Sequence, residues 1–151
     1  MATLTITLTE AVTLGDGSTD RGTTNIQTET VNEVSHRIMD VPASYVDIIK
    51  FGAAASAGTF KDASVQYLRI TNLDASATIT LRVSQADSEY FVDLEPEDHY
   101  LLGNSLMNAL EDGDSSTTIG STDHALTAID KIAAKSSSGT IQIELFVACQ
   151  D

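Results

Sequence analysis

The sequence predicts an all-β protein: a single antiparallel β-sandwich or jelly-roll-like domain over residues 1–151, with at most one short helix. Three observations predict it. Apolar residues alternate with polar ones at period two, and Ile, Val and Thr recur throughout. Gly, Asn, Asp and Ser gather at intervals of about ten residues, as turns between short strands do.

The composition agrees. Hydrophobic residues are 42% and charged residues 20% of the 151, which suits a globular domain rather than a disordered chain. Aromatic residues are only 5% and Trp is absent, so the core must rest on Ile, Leu and Val. No linker, composition break or internal repeat divides the chain, so one domain is expected.

Taken in order, Leu4, Ile6 and Leu8 alternate with threonines and predict a half-buried first strand. Residues 15–22, Gly-Asp-Gly-Ser-Thr-Asp-Arg-Gly, form a loop. Residues 25–41 read as extended, with Ile26, Val34, Ile38 and Val41 facing inward and Pro42 ending the run. Val46 to Phe51 forms a short strand, and residues 52–58 a loop of small residues. Val65–Thr71 and Thr78–Ser84 predict a hairpin whose turn is carried by Asn72 and Asp74, with Leu68, Ile70, Ile79, Leu81 and Val83 on its buried face. Tyr90–Leu94 is a strand stopped at Glu95-Pro96-Glu97-Asp98, and His99–Leu102 resumes it. Ser105–Leu110 is the helical candidate, with Ser105 as N-cap. Residues 111–118 are a polar loop, Ala125–Ala134 reads as a strand although its Ala content leaves a helix open, and Ile141, Ile143, Leu145 and Val147 are the inward face of a final strand.

Charge excludes some functions. There are 22 acidic against 8 basic residues, a formal net charge of −14, and the basic residues are scattered. Nucleic-acid backbones and anionic membranes are held by clustered Lys and Arg, so neither is an expected partner. The N-terminal residues lack the basic and continuously apolar regions of a signal peptide, and no Asn-x-Ser/Thr site occurs. Synthesis in a cytoplasm without secretion is therefore expected. Cys149 is the single cysteine and reads as a small buried hydrophobe.

A search for chemistry leaves no catalytic, cofactor-binding or metal site to assign, and no enzyme is predicted. Gly103-Asn104-Ser105-Leu106-Met107 lacks the second Gly of a nucleophile elbow, and no Gly-Lys pair exists for a phosphate loop. His36, His99 and His124 stand apart, without the spacing of a metal set. Asp16 and Asp20, and the group Glu111, Asp112 and Asp114, are oxygen donors of the kind Ca²⁺ takes. Neither set has the spacing of a Ca²⁺ loop, and solvated turns are commonly acidic. Glu95, Glu97 and Asp98 share one turn and do not face each other as a glycosidase pair would. Tyr67, Tyr90 and Tyr100 suggest a sugar-stacking platform, although tyrosine is also common in ordinary strands.

Three segments together carry a family likeness: Tyr67-Leu68-Arg69-Ile70-Thr71-Asn72-Leu73-Asp74 with Ile79-Thr80-Leu81-Arg82-Val83, then Phe91-Val92-Asp93-Leu94-Glu95-Pro96-Glu97, and the closing 139–148 run. They resemble small β-sandwich virion proteins of tailed bacteriophages, in which a strand ends in a Thr-Asn turn and a later one in a Leu-x-Pro corner. The likeness covers about half the chain, and its corner has Pro96-Glu97 where Pro-Gly is commoner. It implies a head decoration (cement) protein that binds the major capsid protein on the outside of the head. Such proteins often act as symmetric homo-oligomers, commonly trimers, so the resemblance implies an oligomer that resides in the virion, and no cofactor is expected. A carbohydrate- or receptor-binding module of a head fibre or tail is the alternative.

Overall fold

The computed structural model describes residues 2–20, 22–85, 88–103, 108–110 and 126–150. Its strands are β1 (Ala2–Thr9), β2 (Val12–Thr13), β3 (Thr19–Asp20), β4 (Thr24–Val31), β5 (Glu33–Val41), β6 (Val46–Gly52), β7 (Thr59–Lys61), β8 (Val65–Asn72), β9 (Ile79–Gln85), β10 (Ser88–Leu94), β11 (His99–Gly103), β12 (Asn108–Leu110), β13 (Leu126–Ala128), β14 (Lys131–Ser136) and β15 (Ile141–Cys149). One 3₁₀ turn, Asp62–Ser64, precedes β8.

The architecture is all-β and sandwich-like. A five-stranded sheet in the order β10-β9-β14-β6-β7 faces a four-stranded sheet in the order β11-β8-β15-β5. Pairing is antiparallel except between β6 and the short β7. Ile48, Ile49, Ile79, Leu81, Val83 and Ile132 enter the core from one sheet, and Val41, Leu68, Ile70, Ile143, Leu145 and Val147 from the other. Each such side chain, fully buried, contributes about 1.5–3 kcal/mol. Alternation explains most of this set. Ile48 and Ile49 are consecutive, however, and both are buried. A register shift in the β6–β14 pairing leaves Ile48 unmatched between Ile49 and Asp47, so the bulge turns both isoleucines inward.

The strands expected at Val65–Thr71 and Thr78–Ser84 exist, and their apolar faces share one core. They do not form a hairpin. β8 belongs to the four-stranded sheet and β9 to the five-stranded sheet, so residues 73–78 arch across the sandwich. The cause is Asn72. Its fully buried side chain donates from Nδ2 to the carbonyls of Ala77 (2.8 Å), Leu94 (3.2 Å) and Glu95 (3.1 Å). The Asp74 carboxylate then accepts from the Ser76 and Ala77 N–H groups. These bonds hold the β8–β9 arch against the β10–β11 corner, and the same N–H donors draw the Asp74 pKa below the ordinary value.

Other expectations need correction. β1 is half-buried at Leu4 and Ile6, as expected, but Leu8 is 48% exposed, and the strand pairs with β4 as a separate two-stranded ribbon. Residues 25–41 form two strands that break at Asn32, whose N–H bonds the Cys149 carbonyl. Of the four positions expected inward there, only Val41 is buried; Ile26, Val34 and Ile38 are 67%, 51% and 59% exposed. Period two links Val41 to the odd positions of β5, so Ser35, Arg37 and Met39 share its side and the even positions turn outward. The loop at 15–22 contains β3, which pairs with β2. Of the strand expected at Ala125–Ala134, Ala125 lies outside the described residues and 126–134 is interrupted at Ile129-Asp130, where Asp130 bonds both Ser84 and Phe51 through its backbone. Of the helical candidate Ser105–Leu110, residues 105–107 lie outside the described residues, and 108–110 pair with β13 as a strand.

Candidate functional site

The outward face of the four-stranded sheet gathers the side chains best suited to recognition, and Phe146 lies near its centre. β15 sends Ile143, Leu145 and Val147 into the core, so Glu144 and Phe146 must face outward. Register sets their neighbours. Phe146 lies between Arg69 of β8 and His36 of β5, with Leu101 of β11 beyond Arg69. Glu144 lies between Thr71 and Ile38, with His99 beyond Thr71.

The rings of His36 and Tyr67 lie 5.8 and 6.0 Å from that of Phe146, and the Arg69 guanidinium carbon is 5.9 Å from its centroid. Glu144 joins His36 and Arg69: its Oε1 is 2.7 Å from His36 Nε2, and its Oε2 accepts from Arg69 Nη2. The His36 hydrogen bond, with the Arg69 charge behind it, holds the Glu144 carboxyl below its ordinary pKa, against an opposing effect of burial. Burial raises the Tyr67 phenol, and Arg69 partly offsets that. Arg69 and Glu144 thus pin each other in place, while Phe146 supplies apolar area between them.

The β1–β4 ribbon lies over one side of this face. A groove of about 400 Å³ separates them, lined among others by Ile6, Leu8, Ile26, Tyr67, Arg69 and Leu101. The ribbon approaches closely: a Cβ on Gly103 would lie 3.8 Å from the Gln27 side-chain oxygen. Leu8, Ile26 and Leu101 border the groove, while Val34 and Ile38 are exposed on β5, at the other edge of the sheet. Large exposed apolar side chains on a rigid sheet are the usual material of a contact surface.

The opposite outward face is built differently. Tyr45 covers the five-stranded sheet, its ring 4.6 Å from the Arg82 guanidinium carbon and 5.0 Å from Lys135 Nζ, with the Phe91 ring 6.4 Å away. Asp47 takes both Lys50 (3.3 Å) and Lys131 (3.5 Å), and Arg82 also pairs with Glu89 at 3.8 Å. The cations of that face are matched by groups of the same face.

The residues weighed for chemistry fall elsewhere or apart. His36 and His99 stand on opposite edge strands of the four-stranded sheet; His99 Nδ1 lies 3.1 Å from Thr71 Oγ1, and His124 is outside the described residues. Among the described residues, no group of three His, Cys, Asp or Glu gathers as a metal would require. Asp16 accepts from Ser18 N and Oγ within its own turn, which lowers its pKa; Glu111, Asp112 and Asp114 are not described. Glu97 is at φ 63°, the second central residue of a turn closed by Asp98 N–H to the Glu95 carbonyl, a position that favours glycine. Cys149 is buried. The three tyrosines do not share a face. Tyr67 is on the Phe146 face, whereas Tyr100 packs on the core and its hydroxyl meets that of Tyr90 at 2.8 Å, between the edge strands β10 and β11. Burial, then that hydrogen bond, raises the Tyr100 pKa strongly.

Comparison with known proteins returns no match: no family model, no curated protein and no solved structure matches this chain.

Proposed function

We propose that this is a virion structural protein, a decoration (cement) protein that binds the major capsid protein on the outside of a bacteriophage head and stabilises the shell. The observation that carries this reading is the outward face of the four-stranded sheet, where the Phe146 ring cluster lies between exposed aliphatic side chains on both edge strands, Leu101 on one and Val34 and Ile38 on the other. The sequence likeness of Tyr67–Asp74, Ile79–Val83 and Phe91–Glu97 to small phage virion proteins supports it. The protein acts by burying interface, not by catalysis, and a homo-oligomer, trimeric by the same likeness, is its working form. Binding energy spread over a capsid lattice raises the free energy needed to open it.

The test adds purified protein to heads that lack their decoration protein. Stoichiometric binding and a higher disruption temperature are expected, and Ile26→Asp with Leu101→Asp should abolish binding while circular dichroism stays unchanged. Failure of the wild-type protein to bind would sink the proposal. The alternative, a glycan- or receptor-binding module, retains Tyr67 and Phe146 as stacking rings, and binding on a glycan array would favour it.

A further inference from the structure

A second polar surface lies at the side of the sandwich, away from the Phe146 face. Here β5 is the last strand of one sheet and β7 the last of the other, and a cleft of about 190 Å³ opens between them. What distinguishes it is the disposition of the scarce cations. Among the described basic residues, Lys50 and Lys131 are paired with Asp47, Arg69 with Glu144 and Arg82 with Glu89, and Lys135 lies over the Tyr45 ring. The two that remain, Arg37 and Lys61, have no carboxylate partner among the described residues, and both line this one cleft.

Arg37 is held there by construction. The parity that buries Val41 turns Arg37 to the inner side of β5, and its Nη2 donates to the Ile48 carbonyl at 2.7 Å, which fixes the guanidinium. Its Nε is buried and has no acceptor. The Nε atoms of Arg69 and Arg82 are buried and unmet in the same way, so what sets Arg37 apart is the missing carboxylate beside its charge. Around it the cleft presents the hydroxyl residues Ser35, Ser56 and Thr59, which are hydrogen-bond donors suited to oxygen. The volume admits a tetrahedral oxyanion with some of its water, each water occupying about 30 Å³.

We propose that the β5–β7 cleft is a binding site for a small oxyanion of the phosphate or sulfate class, with Arg37 and Lys61 supplying the charge and Ser35, Ser56 and Thr59 the neutral donors. Glu33 also lines the cleft and opposes the anion, so it limits affinity.

The test follows thermal unfolding in inorganic phosphate or sulfate against sodium chloride of equal ionic strength. The control is essential, because any salt screens the self-repulsion of a chain at net charge −14. At about ten times the dissociation constant, Tm should exceed that in chloride by about 3–6 °C. Lys61→Gln, at an exposed position, should remove that excess, as should Arg37→Gln if it folds; Lys135→Gln should keep it, and Glu33→Gln should enlarge it. An equal effect of chloride, or a Lys61→Gln protein that responds like the wild type, would overturn the proposal.

Discussion

β1 and β9 are written in nearly the same pattern and end in opposite circumstances. Thr3 to Thr9 and Ile79 to Val83 each alternate an aliphatic residue with a polar one. In β9 the aliphatic residues Ile79, Leu81 and Val83 are at most 1% exposed. In β1 two of the equivalent residues, Ile6 and Leu8, line an open groove, and Leu8 is half exposed. Period two decides which side chains share a face. It does not decide what that face meets, because the partner surface comes from strands distant in sequence.

The sharpest way to break this comparison is a charge on each strand. Leu81→Asp should bury an unpaired carboxylate, cost more than about 4 kcal/mol and abolish folding by circular dichroism. Leu8→Asp should change stability by less than about 1 kcal/mol in urea unfolding. A folded Leu81→Asp protein would mean that β9 is not the core strand described. Next in size is the arch that assigns β9 to its sheet. Asn72→Leu removes the donor that three carbonyls share, and should lower stability by about 2–4 kcal/mol, read as a lower urea midpoint. The smallest effect belongs to the exposed face. Because the Glu144 pKa is lowered on folding, its contribution is complete above the ordinary carboxylate value and is lost as pH falls through the folded value. The wild type should therefore exceed Glu144→Gln by less than about 1 kcal/mol at neutral pH, with the gap closing in acid.

The inward faces of β8, β9 and β15 were legible because each holds a buried apolar set at strict alternation. β5 was not, since Val34 and Ile38 look more buriable than Arg37 and Met39, and only Val41 reveals the parity. Asn72 looked like a turn residue; that it bonds to Leu94 and Glu95 depends on a corner more than twenty positions away. The Phe146 cluster was half legible. Alternation in β15 already turns Glu144 and Phe146 outward, but bringing them to His36 and Arg69 requires the register with β5 and β8. The departure at Pro96-Glu97 was visible as a missing glycine, and the structure gives it a conformational meaning in the left-handed φ of Glu97.

The order of the four-stranded sheet has a consequence for how the protein emerges from the ribosome. β15 lies between β8 and β5, and Val41 pairs with Ile141. Until that strand is synthesised, β5 has no neighbour in its sheet and β8 lacks one, leaving the apolar faces of both without their lateral support. Folding of this half of the sandwich must wait for late-made chain, and a nascent protein carries exposed strand edges for most of its synthesis.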